Sequence, residues 1–490
     1  MKSEVDKKPV HYSVLPEVRK KKLILALSDI PLAATGVAVQ FNQLITQMIN
    51  TGEYAFYVVG GAVQHPDMEI KKLNDDFILE PCIGQGNKEV VRRLLAELQP
   101  DALFIFTDPH QYMYLWEMSD EVHQVCPILY WHVWDNDPYP DCNTIWYQST
   151  DFIGTISLLT HNLVASKFPE RTKYIPHTFS KYLYFPLPDY SRQRAAEFFY
   201  RDKAEWFKIL WVNRNGHRKQ CLELLESFKM FLADLQEKEG HQKAVLLLRT
   251  EPKDPEGPDL LVNIERLGLQ KNIIVIQEKL EYSLMNTLYN SADLVVNNSK
   301  AEGFGLSLLT AMNTKTMMAG VMTGGMKEQL VHPITGEEFG FPIPVSQRNL
   351  VGSQIVPYIY EDYSSRVDIK EIMMKAFKTS PEERKRMTDA AYNHAQDWFG
   401  FEKVMNLWKT SFDEQIKLFK EERLGKNQWS IDLISTAPEK EAMIAQAQFA
   451  SFEAQRQAAT QKQAENKNEM IEEALAKLKA QQAARQGTKK

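Results

Sequence analysis

Residues 291 to 330, SADLVVNNSKAEGFGLSLLTAMNTKTMMAGVMTGGMKEQL, run strand, acidic glycine turn, helix, strand, glycine pair, acid. Leu294 to Val296 reads as a buried parallel strand, Gly303 and Gly305 open a turn past its carboxyl end, and Leu306 to Met312 begins a helix. Ligands of open α/β sheets bind at that edge. The first N–H groups of a helix have no intrahelical partner and sit at the positive end of its dipole, so a diphosphate fits there. Glu302 can accept hydrogen bonds from neutral hydroxyls beside the anion. A carboxylate next to an anion site is the chemistry of a sugar nucleotide. A plain strand-to-helix turn with a solvated Glu uses the same residue types, so the rest of the chain decides.

Three further segments place chemistry near such an edge. In WVNRNGHRKQ, Arg214 and Lys219 lie five residues apart around Gly216, where both reach one diphosphate and stabilise the charge that grows on a departing nucleotide; a solvated basic loop is the alternative. Gly36, in ATGVAVQ, leaves room for backbone to approach a ligand, or simply turns the chain. His132 ends ILYWHVW, either facing the cleft or satisfied in the core. Asp135 and Asp137 form a DxD-like pair, read as turn caps beside Pro138 because no further metal ligands accompany them.

Elements that could position these residues recur along the chain. Apolar runs at 22–29, 55–62, 101–108, 127–135, 151–157 and 172–176 lack two-residue alternation, as strands buried on both faces do, and helical patterns at Val37 to Ile49 and Lys88 to Leu98 cover them. This is a doubly wound parallel sheet. The alternation restarts at 207–213, 244–250, 272–277 and 293–299. The expected organisation is a lead-in at 1–20, a first Rossmann-like domain at 21–185 and a polar, proline-punctuated linker at 186–206. A second Rossmann-like domain at 207–395 follows, then helices at 396–436 that cross back to the first domain and a solvated helical tail at 437–490.

Composition narrows the class. A chain of 490 residues with 44% hydrophobic, 25% charged and 11% aromatic residues is that of a soluble globular protein of roughly two to four domains. A net charge of −6 gives no general pull toward nucleic acid. Cys82, Cys126, Cys142 and Cys221 lack disulfide-scaffold or zinc spacing, and Leu23 to Leu27 is too short for a signal core or a membrane span, so a cytoplasmic setting is expected.

Taken jointly and in order, these motifs resemble the GT-B glycosyltransferases of the large retaining family 4 type, over residues 20 to 415. ATGVAVQ resembles the family's glycine loop after strand one, and LYWHVW its first-domain strand ending in His. Tyr174 to Thr178 resembles its "IPNG" segment, and Asn213, Arg214 and Lys219 its "GR…K" element. Glu302 to Met312 resembles its "EGFGL…EAM" element, and Gly324, Gly325 and Glu328 its "GG…E" element. The resemblance implies two Rossmann-like domains facing a cleft, with sugar transfer from a nucleotide donor at retained configuration and no metal. Arg214 and Lys219 would hold the donor diphosphate, together with the turn Gly303, Phe304, Gly305 and Leu306; Glu302 would contact the transferred sugar, His132 would sit near the reacting centre, and Gly36 would close over the phosphates. The chain departs from the pattern at Thr310, where the family's second Glu binds ribose, at His177 and Thr178, which replace Asn and Gly, and at Asn213, which replaces Gly.

The acceptor is not written in these motifs. Loops 107–114 and 134–147 bring aromatics and Asp/Asn that suit a polyol or sugar, and a splayed DNA base fits them too, though the acidic net charge weighs against it. A non-catalytic GT-B platform, a sugar-nucleotide epimerase and a phosphorylase are the rival readings. From Glu439 the tail is rich in Ala, Gln, Lys and Glu, and it suits oligomer or partner contact. Cutting the chain after Thr436 is therefore expected to spare both the cooperative melt and donor hydrolysis. A truncated protein that no longer melts cooperatively would show that the tail docks on the core.

Overall fold

The computed structural model describes residues 20–33, 35–61 and 68–423. The tail from Glu439 and nearly all of the lead-in lie outside these residues.

Two parallel sheets carry the structure. The first contains β1 (Lys22–Asp29), β2 (Tyr54–Gly61), β3 (Lys71–Asn74), β4 (Phe77–Pro81), β5 (Ala102–Thr107), β6 (Ile128–His132), β7 (Phe152–Thr155) and β8 (Thr172–Tyr174), ordered β3-β4-β2-β1-β5-β6-β7-β8. Only β3 runs antiparallel to its neighbour. The second contains β9 (Phe207–Val212), β10 (Ala244–Arg249), β11 (Ile273–Ile276), β12 (Leu294–Asn297), β13 (Met317–Val321) and β14 (Phe341–Ile343), ordered β11-β10-β9-β12-β13-β14 and wholly parallel. In both sheets the strand order reverses beside the first strand, between β1 and β5 and between β9 and β12. A crevice opens at the carboxyl ends of such a pair. The motif loops after β1, β9 and β12 therefore all lie at crevice edges.

Local sequence explains the key elements. The apolar runs of β1 and β5 are almost wholly buried, as strands covered on both faces must be. The helix Gly36–Asn50 starts at Thr35, whose Oγ1 accepts from the Ala38 N–H at 3.0 Å and donates to Asp29 Oδ2 at 2.6 Å, which ties the Gly36 loop to the end of β1. Residues 186–206, expected as a linker, contain a helix, Asp189–Tyr200. Its polar residues mask a narrow stripe of Ala195, Ala196, Phe199 and Tyr200, which is buried. The hairpin of β15 (Gln347–Val351) and β16 (Ile359–Tyr363) gave no sequence signal, because its strands are short and largely polar.

The late helix Phe401–Leu418 packs on the first sheet. Trp408, fully buried, meets Phe104, Trp131 and Phe152 with ring centroids 5.1, 5.3 and 5.8 Å away, all edge to face. Gly154 on β7 makes room: a Cβ there would lie 2.7 Å from the indole.

Two polar clasps join the sheets. Asn136, wholly buried after β6, donates to Asp362 Oδ2 (2.8 Å), the Tyr360 carbonyl (3.0 Å) and Thr323 Oγ1 (3.1 Å), so the β15–β16 hairpin grips the loop that follows β6. The second clasp is Glu328, whose carboxylate accepts from the Leu158 N–H at 3.3 Å and the Tyr174 hydroxyl at 3.1 Å. Burial pushes its pKa up to about 8, only partly offset by those two donors.

Trp408→Ala should cost about 3–5 kcal/mol of stability in guanidinium unfolding, since it opens a cavity under three edge-to-face aromatic contacts; a loss under about 1 kcal/mol would contradict this packing. For Glu328 the folded pKa lies above the ordinary value of 4.5, so its contribution is intact below that value and is lost as pH rises toward about 8. The loss amounts to about 1.4 kcal/mol per pH unit inside that window. Glu328→Gln should therefore gain on the parent steadily between pH 5 and 8, and parallel stability profiles would show that Glu328 is not protonated in the fold.

Candidate functional site

A cavity of about 510 Å³ lies where the two crevices face each other. Gly36, Arg214, Lys219, Glu302, Leu306 and Thr310 all line it. Gly36 approaches the opposite half so closely that a Cβ would lie 2.9 Å from Leu306 Cδ1.

The turn after β12 is built by neighbouring backbone. Gly305 has φ +97° and Gly324 φ +51°, both in the left-handed region that favours glycine. A Cβ on Gly324 would fall 1.9 Å from the Glu302 carbonyl, and the Gly325 N–H donates to that same carbonyl at 2.9 Å. The glycine pair thus holds the Glu302 turn from below. Gln329 donates to the Phe304 carbonyl at 2.5 Å, and Asn297 to Ser307 Oγ at 3.0 Å. From this base the helix Leu306–Asn313 starts at the cavity wall, which Leu306 and Ser307 of its first turn line.

Charge in the site is organised around Glu302. Burial would raise its pKa, but Lys219 and Arg218 outweigh that and hold it below the usual range. Lys219 Nζ is in direct contact with Glu302 Oε2, and burial followed by the Arg218 charge lowers the lysine below its ordinary pKa. Arg218 donates to the Ala301 carbonyl and lies 3.5 Å from Glu302 and 3.3 Å from Asp135. That last contact crosses from the second sheet's loops to the first. Arg214 is more than half exposed and is held by Asp254 through two hydrogen bonds, 2.7 and 3.0 Å, with Glu256 at 3.0 Å. On the facing edge Asp108 is open to solvent yet closely ringed by protein, and desolvation, then Asp135, push its pKa up to about 7.

Several expectations change on this geometry. His132 does not face the cavity. It is fully buried, its Nε2 is 2.8 Å from the Tyr147 hydroxyl and its Nδ1 3.2 Å from that of Tyr130, and burial lowers its pKa to about 3. Both ring nitrogens are thus satisfied inside the first sheet's core. Gly303, Phe304 and Gly305 lie behind the cavity wall: Gly303 backs onto Asp135, and the Phe304 ring packs edge to face on His177 and Phe399 at 5.2 and 5.4 Å. The replaced "IPNG" positions are structural. His177 packs edge to face on Phe106, Trp131 and Phe304, and the backbone of Thr178 is clasped by Gln40 at 2.7 and 3.1 Å. Thr310 lines the cavity with its hydroxyl proton already donated to the Leu306 carbonyl at 2.9 Å, leaving oxygen lone pairs for a ligand.

The sequence reading missed Arg218, although it adjoins Lys219. It also missed Asp135 as a partner of that arginine, and Arg249 and Lys279, which share the cavity. Neither of the latter belongs to a motif; only their places at the ends of β10 and just past β11 mark them.

Comparison with known proteins agrees with this architecture. Residues 194–342 match the family model described as glycosyl transferases group 1. No curated protein sequence matches the chain. Among solved structures it resembles a glycosyltransferase from Rickettsia africae (15% identity, TM-score 0.60, covering 81% of this chain and all of that one). It also resembles sucrose-phosphate synthase from Thermosynechococcus elongatus (13%, 0.60, 80% and 99%). A third similar structure is Anabaena HepE in complex with UDP and glucose (13%, 0.58, 80% and 100%). The chain therefore folds as a GT-B protein whose residues 194–342 are a glycosyl transferases group 1 domain, and it is a glycosyltransferase.

Proposed function

We propose that the protein transfers a sugar from a nucleotide donor, seated in the 510 Å³ cavity, to an acceptor held on the first sheet's edge, with retention of anomeric configuration. The observation that carries this reading is the convergence of Gly36, Lys219, Glu302, Leu306 and Thr310 on one cavity at the two facing crevices. HepE, of similar fold, was solved with UDP and glucose and with UDP-glucose, which supports a nucleotide sugar as the donor class.

The residues divide the work by charge. As the bond from the sugar's anomeric carbon to the phosphate oxygen breaks, negative charge grows on the diphosphate. Lys219, Arg214 and the N–H groups opening the helix at Leu306 face that charge. Glu302, kept ionised by Lys219 and Arg218, accepts from the sugar's hydroxyls and favours the positive charge spreading over its ring. The acceptor oxygen attacks on the face the phosphate leaves, and its proton passes to a phosphate oxygen, so no second catalytic carboxylate is required. Cationic side chains supply the charge stabilisation that a metal provides elsewhere. Asp108 and Asp135 lie on the acceptor side, where carboxylates suit hydroxyl-rich acceptors; an anionic DNA backbone would meet repulsion there.

Lys219→Ala and Arg214→Ala are each expected to preserve the circular dichroism spectrum while lowering kcat/KM about 30- to 1,000-fold, which is about 2–4 kcal/mol of lost transition-state stabilisation. The exposed Arg214, shared with Asp254 and Glu256, belongs at the low end. Full turnover in both variants would remove this cavity as the donor site.

A further inference from the structure

The cavity runs along the sheet edge from β12 past β9 to β10 and β11, and its far wall carries chemistry that sugar transfer does not use. Neighbouring strands are about 4.8 Å apart, so Arg249 at the end of β10 and Lys279 beyond β11 stand roughly 10 to 15 Å along the edge from the Glu302 turn. A nucleotide sugar laid out with its hexose at Glu302 and its diphosphate over β9 brings its base to this wall.

These two cations differ from the others in the cavity. Lys219 is paired with Glu302 and Arg214 with Asp254 and Glu256. The side chains of Arg249 and Lys279 make no ion pair or hydrogen bond among the described residues, and the Arg249 Nε is shut off from water with no acceptor. A buried donor left without a partner is costly, so it marks a position that a ligand completes. The surroundings suit a flat ring. Arg249 acts electrostatically on the hydroxyls of Tyr184 and Tyr289, an edge-to-face pair with centroids 6.1 Å apart, and Tyr282 stands exposed on the same wall.

Arginine and lysine side chains only donate. Guanine offers acceptors at O6 and N7, and uracil offers a carbonyl oxygen on the corresponding edge, whereas adenine and cytosine turn an amino group there, which suits Gln, Asn or a carboxylate instead. Glu281, the remaining charged residue on this wall, forms no ion pair among the described residues and can accept from a ring N–H, which guanine and uracil both carry. We propose that Arg249 and Lys279 form the nucleobase subsite and select a donor with an oxo base, guanine or uracil, over adenine and cytosine. This rests on the reading of the cavity as a nucleotide-sugar site.

Calorimetry of the full chain with GDP, UDP, ADP and CDP tests the assignment. The parent should bind GDP or UDP at least tenfold tighter than ADP and CDP, and the order of those two identifies the base. Arg249→Gln, whose amide both donates and accepts, should bring ADP within about threefold of the best oxo nucleotide. Lys279→Gln, at an exposed position, should narrow the gap in the same direction and serves if the first variant fails to fold. Binding of all four within threefold, or a ranking that the folded variants leave unchanged, would overturn the base-reading role and leave the donor site standing. Absence of binding for all four nucleotides in the folded parent would remove the donor site itself, and the subsite with it.

Discussion

A carboxylate buried between two sheets stays charged only if cations are held against it, and the pairing of Glu302 with Lys219 and Arg218 is the constraint that much of the site serves. Desolvation of such a group costs several kcal/mol before any attraction is counted, so the pair does not stabilise the fold by itself. Its value lies in position. Removing either partner would leave a buried charge uncompensated, and the backbone around each member is accordingly fixed by glycines and side-chain amides. Gly324 and Gly325 pin the Glu302 carbonyl from one side, while Asn298, itself held by the Trp211 indole N–H, donates to the Gln220 carbonyl, just past Lys219, from the other.

The same network reaches across the cleft. Arg218 lies 3.3 Å from Asp135, and the next residue, Asn136, is locked by the β15–β16 hairpin and Thr323. A hairpin of the second half therefore sets the loop of the first half that carries Asp135 to Arg218. Arg348 strengthens the grip through Asp137 at 2.6 Å and Asp362 at 3.0 Å. Any opening between the halves must break several buried hydrogen bonds at once, so opening is expected to be cooperative rather than gradual.

How much of this was legible follows from the physics of each element. Parallel strands buried on both faces are continuous apolar runs, so β1, β5, β9, β10 and β12 were visible within a residue or two at each end. The Glu302 turn was visible because glycine is required where φ is positive and where backbones touch. The helix Asp189–Tyr200 was not, since only four of its residues face inward and its polar remainder reads as linker. The β15–β16 hairpin was silent for a related reason: its value lies in reaching Asn136, 211 positions before its Gln347, and no local pattern records a partner that distant.

His132 shows the limit most sharply. A histidine at the carboxyl end of a central strand has two resting places, one nitrogen in the cleft or both nitrogens inside, and the strand pattern is the same for each. Tyr130 is two residues earlier, on the same face of the strand, and Tyr147 approaches from the helix Thr144–Gln148, so the imidazole finds two hydroxyls without leaving the core. Burial there disfavours the charged ring and lowers its pKa to about 3, so the imidazole stays neutral. The charge handling of the cleft then falls to groups that protrude from loops, Asp108 and Asp135 on one edge and Arg218, Lys219 and Glu302 on the other. Each of those lies past the end of a strand, where a change of one residue in loop length moves a charge by a few ångströms. Sheet edges of this kind fix where chemistry happens, and loop length decides which charges arrive there.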